Sequence, residues 1–171
     1  MEKIGYGPDK HLAVTVSTRN IAPYRDPAVI LIDQLKQIYI DGELDPVDTT
    51  NWYPKVMRKD YTVGLNVTET AVDDPDPAFY ENFVCGADRN YTGYCNREVD
   101  KLVDRQSVES DVGKRKQLVW EIERKLAEDD ARPTLFYPRA ANCWYPRLKA
   151  LPVMVNSIYN ESRFEDVWLD N

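Results

Sequence analysis

Three observations predict an α/β fold with a mixed sheet flanked by helices. Two segments alternate apolar and polar residues with the period of a half-buried strand, through Leu12, Val14 and Val16 and through Tyr61, Val63, Leu65 and Val67. Between and beyond them, apolar residues recur at helical spacing. The chain has 171 residues, 43% apolar and 11% aromatic, enough for one compact domain with its own core and too few for a second full one.

The elements follow in order. "MEKIGYGP" reads as the last turn of a helix stopped by Gly5 and Gly7 with Pro8 beyond, which predicts that the chain is a piece of a longer protein. "HLAVTVSTR" is the first strand. In "RDPAVILIDQLKQIYIDGE", Asp26 can cap a helix with Pro27 at its first position. Ala28, Leu31, Ile32, Leu35, Ile38 and Tyr39 form its stripe, and Gly42 ends it. A short strand near Leu44 to Asp48 leads to a short helix in "NWYPKVMRKD", and "YTVGLNVT" gives the next strand, so the first half reads β-α-β-α-β.

The second half is more helical. Asn96 can cap "REVDKLVDRQ", with Val99, Leu102 and Val103 inward. Ser110 or Asp111 can cap "VGKRKQLVWEIERKLAEDD", whose stripe is Leu118, Val119, Ile122 and Leu126. "RPTLFYP" and "LPVMV" then return as short strands. Strands separated by helices favour a parallel or mixed sheet with ligands at the loops beyond the strand ends.

Composition excludes several functions. The formal charge is −7, from 29 acidic against 22 basic residues, and no basic stripe is present, which argues against nucleic acid and anionic lipid as partners. No segment approaches the roughly 18 consecutive apolar residues of a membrane span, and the first residues lack the apolar core of a signal peptide. The single histidine, His11, builds no HExxH and no Ser/His/Asp set, and there is no glycine-rich phosphate loop. Nothing selects one catalytic pair from the 29 acids.

Two local clusters carry more information. "VDDPDPAFYENF" places Asp73, Asp74 and Asp76 among Pro75 and Pro77. A turn that caps the helix of "AFYENF" is the leading reading, since Asp bonds nearby backbone N–H groups and Pro fixes φ. Calcium is an alternative, although the spacing of a calcium loop and its distal Glu are missing; direct ligand contact is a third. Cys85 and Cys95 flank "GADRNYTGY", and Cys143 lies far off. Two thiols without His leave a zinc shell unfilled, so a local disulfide, formed outside the reducing cytoplasm, is the simpler reading, with free thiols as the alternative. N-x-[ST] triplets begin at Asn66, Asn90 and Asn160.

A series of features in order then identifies a likeness: "GYGP" before a strand, "STRNIAPYRDPAVILIDQL", "YTVGL" leading to "DDPD", "NYTGYCNREVDKL", "KRKQLVWEIERKLAEDDARPTLF" and "FEDVWL". Nearly the whole chain thereby resembles the C-terminal portion of the ABC-transporter solute-binding proteins of the dipeptide, oligopeptide and nickel class, extracellular family 5. The resemblance implies that residues 1–171 are one substrate-binding lobe, the second lobe of a type II periplasmic binding protein, with about 150–171 returning toward the missing lobe. It implies capture of a small solute, peptide or other, in the periplasm and delivery to an ABC permease of the inner membrane. No cofactor, catalysis, nucleic acid or membrane insertion is expected. The rivals are a calcium-stabilised extracellular interaction module and a carboxylate-dependent hydrolase.

The resemblance also nominates residues. Arg19 in "VSTRN" stands where dipeptide-binding members place the Arg that receives the peptide carboxylate, and a guanidinium fork suits that task. Those members hold the amino group with an Asp three residues before D-P-D; here that position is Ala71, so the resemblance implies a different ligand, with Glu69 the nearby substitute. The strand-end loop Val67 to Asp74 supplies Thr68, Glu69, Thr70, Ala71, Asp73 and Asp74 as ligand-binding candidates, and Trp52 joins that set. Trp52, Tyr53, Tyr91, Tyr94 and Trp144 are the aromatic candidates for the cleft, and for each of them packing is the more frequent role. Members with cysteines close the loop matching Cys85 to Cys95 with a disulfide.

Overall fold

The computed structural model describes residues 1–68, 72, 74–137, 141–152 and 164–170. The chain divides into two units, Met1–Thr68 and Glu69–Asn171.

The first unit begins with a single 3-10 turn, Glu2–Ile4, stopped by Gly5 in the left-handed region at φ 85°. The glycine stop is therefore where its sequence places it. Strand β1, Leu12–Arg19, is the centre of a three-stranded sheet. It pairs in parallel with β2, Ile40–Val47, from Leu12 opposite Ile40 to Arg19 opposite Val47. On its other edge it pairs in parallel with β3, Val63–Leu65, with Val16 opposite Val63. Helix α1, Ala22–Leu35, connects β1 to β2, and α2, Thr49–Met57, connects β2 to β3. The β-α-β-α-β order is as expected, and every pair in this sheet is parallel, as connections through helices require.

Alternation along β1 sorts its side chains to the two faces of the sheet. Val14 and Val16 pack with Ala28, Leu31 and Ile32 of α1, Leu44 of β2, and Val63 and Leu65 of β3. Buried Thr18 on the same face donates to the Leu65 carbonyl at 3.0 Å. Ser17, on the other face, donates to Asp45 at 2.8 Å, and Asp45 pairs with Lys55 of α2 at 3.3 Å.

Several element bounds differ from expectation. Helix α1 starts four residues before Asp26: Ile21 is the extended N-cap, Pro23 takes the early helical position, and Pro27 lies inside. Either proline can start a helix, and the earlier one does. The helix ends at Leu35 rather than at Gly42, followed by a 3-10 turn Lys36–Ile38 and by Tyr39 at φ 64°. Ile38 is exposed. Gly42 lies within β2, where a Cβ would come 2.8 Å from Ile32 Cγ1, so it allows α1 to sit close on the strand. Strand β2 starts earlier than expected and accommodates Pro46 because it is an edge strand. The second apolar alternation yields three residues of strand, because β3 pairs only with Val16 to Thr18.

In the second unit, α3 is Pro75–Asn82, α4 is Arg97–Val108 and α5 is Val112–Glu128. Their core is Phe79, Val99, Leu102, Val103, Ile122, Leu126 and Ala131, with Leu118 and Val119 packed against it. The caps are those the sequence offers: Asn96 accepts from Glu98 N–H at 3.0 Å, and Asp111, not Ser110, accepts from Lys114 N–H at 2.8 Å. The returning strands are not where they were expected. Residues 132–137 form no strand, and Leu135, Phe136 and Tyr137 are exposed. Leu151 and Pro152 form none either, and 153–155 lie outside the described residues. A strand requires a partner, and these residues pair with none among those described. The antiparallel component is instead β4, Leu148–Lys149, paired with β5, Trp168–Leu169.

Candidate functional site

The carboxyl ends of β1 and β2 and the first turns of α1 and α2 bring together one charged group and its supports. Arg19 is the last residue of β1 and is half-buried. Its Nε donates to Thr49 Oγ1, on the first residue of α2, at 2.9 Å. The guanidinium carbon lies 5.3 Å from the ring centre of Tyr24, in the first turn of α1, and 5.7 Å from that of Tyr53, one turn into α2. Such separations suit attraction between a cation and an aromatic face. Among the described residues, no carboxylate pairs with Arg19. In a chain with 29 acidic residues, an arginine fixed at a strand end with its charge uncompensated can hold an acidic group.

Of the other candidates in this unit, Trp52 is fully buried, and its Nε1 donates to Asn66 Oδ1 at 3.3 Å. It ties α2 to the segment after β3 and presents no surface to a ligand. Thr68 is exposed beyond the end of β3. Glu69, Thr70, Ala71 and Asp73 lie outside the described residues.

Asp74, in the second unit, is the N-cap of α3, so of the two Asp-Pro steps in the expected turn the first makes the cap. Its carboxylate accepts from Asp76 N–H at 2.9 Å and takes the Arg115 fork at 2.8 and 2.7 Å. The Arg115 fork first, then the Asp76 N–H, hold its carboxyl below the ordinary range. Buried Gln106 donates to Asp76, and Arg115 Nε donates to the Gln106 carbonyl and side-chain oxygens, both at 3.2 Å. Two of the three clustered aspartates thus anchor the start of α3 to α4 and α5. No group of three or more metal-ligating side chains occurs among the described residues.

Cys85 and Cys95 form a disulfide with Cα atoms 4.5 Å apart, and Cys143 is free and exposed. Sequence reasoning missed what fills the loop. Buried Asn90 donates to the carbonyls of Val84 and Tyr94 at 3.1 and 2.6 Å and accepts from Gly93 N–H at 3.1 Å. The triplet at Asn90 is therefore a structural plug; Asn66 accepts from Trp52, and Asn160 lies outside the described residues. Tyr94 donates to Asp129 at 2.6 Å, and burial, then that carboxylate, pushes its phenol up to about 12. Tyr94 thus packs and anchors its loop, Tyr91 is half-buried, and Trp144 is exposed. Thr49 and Tyr24, the supports of Arg19, carried no signal in the sequence. His11 lies 3.1 Å from Asp41 Oδ1 and 5.7 Å, ring centre to ring centre, from Tyr39.

No protein-family profile matches the sequence, and no curated protein matches it. Solved structures do. The periplasmic binding protein DppA of Helicobacter pylori, an ABC transporter-associated protein in complex with the peptide STSA, aligns over 99% of this chain and 33% of its own, with 19% identity and a TM-score of 0.79. OppA of Haemophilus influenzae, in complex with RPPGFSPFR, aligns over 75% of this chain and 25% of its own, with 18% identity and a TM-score of 0.68. The ABC transporter substrate-binding protein CtaP of Listeria monocytogenes aligns over 75% and 26%, with 24% identity and a TM-score of 0.62. These are transport-associated binding proteins rather than enzymes, and this chain spans between 25% and 33% of their lengths. No described helix is long and apolar enough to cross a membrane. The parallel sheet flanked by helices is thus the fold of one part of the ABC-transporter substrate-binding proteins.

Proposed function

We propose that residues 1–171 are the second lobe of a two-lobed periplasmic solute-binding protein of an ABC importer, with about 150–171 returning toward the other lobe. The lobes close by hinge motion on a small solute that carries a carboxylate, a peptide being one such class, and the closed form docks on an inner-membrane permease. Arg19 receives the carboxylate, and Thr68, Glu69, Thr70, Ala71 and Asp73 are further ligand-binding candidates. Trp52 supports α2 from the core, and Asp74 fixes the start of α3. The lobe binds and releases its solute without catalysing a reaction.

One observation carries this reading: Arg19 is held at the carboxyl end of the central strand with no carboxylate partner among the described residues. Ligands of parallel α/β sheets bind beyond that edge. Calorimetry on the complete two-lobed protein tests it. Arg19→Ala should cost at least about 1.5 kcal/mol of solute binding, the scale of a lost charge-assisted hydrogen bond. Unchanged affinity would overturn the role.

A further inference from the structure

The supports of Arg19 constrain how it can be approached, an inference that rests on reading Arg19 as a carboxylate anchor. A guanidinium has five N–H donors and can hold a carboxylate side-on, through Nε and one Nη, or end-on, through both Nη groups. Here Nε is already committed to Thr49 Oγ1 at 2.9 Å, which removes the side-on fork. The rings of Tyr24 and Tyr53 lie 5.3 and 5.7 Å from the guanidinium carbon, where they draw on its charge through their faces. The donors left are the Nη edge.

We propose that Thr49, Tyr24 and Tyr53 are positioning residues that present the Nη1/Nη2 edge of Arg19 end-on, so that the site selects a planar carboxylate over a neutral amide of the same shape. The sheet register builds this arrangement. Arg19 lies opposite Val47, the last residue of β2, and α2 starts two residues later with Thr49. Tyr53 follows four residues on, which places it on the same helix face as Thr49. A hydroxyl at position 49 sets the orientation, and a ring at position 53 limits how far the guanidinium can swing. Asp26, Asp33, Asp45 and Asp60, which lie on or next to these elements, pair with Arg25, Lys36, Lys55 and Arg58 rather than with Arg19.

The test uses the 171-residue chain with nitrogen-detected arginine side-chain signals. Acetate and acetamide are the probes, and thermal melts check folding. In the wild type, acetate should shift the Arg19 signals saturably and acetamide should not. Thr49→Val should weaken the acetate dissociation constant about threefold to tenfold, the net scale of one typical intramolecular hydrogen bond, because Thr49 acts on acetate only through the orientation of the guanidinium. It should also speed Arg19 Nε–H exchange with solvent, and Thr49→Ser should restore both. Tyr53→Phe should match wild type, whereas Tyr53→Ala should weaken acetate binding. Equal acetate constants in wild type, Thr49→Val and Tyr53→Ala would overturn the positioning role while the anchor stands. A slowly exchanging Nε–H with no acetate response in the wild type would overturn the anchor and this proposal with it. If Thr49→Val fails to melt cooperatively, the Tyr53 pair decides between the same outcomes.

Discussion

Replacing Asp74 separates two functions carried by one carboxylate. It caps α3 through the Asp76 N–H at 2.9 Å and receives the Arg115 fork at 2.7 and 2.8 Å. Loss of an N-cap costs about 1 kcal/mol. The side chains of the Arg115 and Asp74 pair keep 30% and 36% of their surface exposed, so solvent screening limits the pair to about 0.5–1 kcal/mol. Asp74→Ala should therefore destabilise by about 1.5–2 kcal/mol, lowering the melting temperature by about 3–8 °C for a chain of this size. Asp74→Asn keeps a competent cap and should cost only the pair, about 0.5–1 kcal/mol. Acid should have the same effect on the wild type. The folded carboxyl is depressed below its unfolded value, so its contribution is fully present above about pH 4 and is lost as pH falls through the folded value. Urea titrations of both variants from pH 7 to pH 3 measure all of this. Equal destabilisation by Asn and Ala, or an acid limb unchanged in Asp74→Asn, would refute the division.

Non-reducing peptide mapping should find Cys85 linked to Cys95 and Cys143 free, and a link from either to Cys143 would contradict the structure. Reduction should lower the melting temperature without abolishing the transition, because Asn90 still plugs the loop; the double serine variant should lose at most about 3 kcal/mol, the entropy of a short closed loop. The phenol of Tyr94 has its folded value raised to about 12, so its stabilising effect is intact below about pH 10 and disappears as pH rises toward 12. Ultraviolet titration of wild type against Tyr94→Phe should show one late-ionising tyrosine missing from the variant. Gly42→Ala should destabilise by about 1–3 kcal/mol in chemical denaturation, because its Cβ would meet the branched, rigid base of Ile32 at 2.8 Å; a neutral result would mean that α1 can shift on β2.

The legible parts of the fold are those set by local chemistry. Asn96, Asp74 and Asp111 cap their helices because a short side-chain acceptor before a helical run has one dominant use, and Val14 and Val16 face a core because a strand has period two. What failed depended on tertiary partners. Pro23 and Pro27 are both valid helix starts, and nothing local ranks them. Gly42 resembles a helix stop, yet it serves close packing against Ile32, a contact that exists only once α1 lies on β2. Strands β4 and β5 are two residues each, too short to display any period.

The site divides in the same way, and the chemistry of three arginines shows how. Arg115 meets both oxygens of a carboxylate 41 residues away, so its charge is spent on joining helices. Arg132 makes no ion pair among the described residues. It donates to Asn82 at 3.2 Å and lies 4.7 Å from the ring centre of Phe83, and burial lowers its pKa. Its charge is held inside the second unit by an amide and a ring. Arg19 likewise pairs with no carboxylate among the described residues but sits at the end of a strand, half-exposed, with Nε its one N–H hydrogen-bonded to a described side chain. The resemblance could nominate Arg19, because position after a strand is a sequence property. It could not supply Thr49 or Tyr24, which meet Arg19 only through the parallel register of β1 with β2 and the starts of the two helices that follow them. The proposed carboxylate-binding role of Arg19 rests on the donors that its neighbours leave uncommitted, and those neighbours come from elements that folding alone brings together.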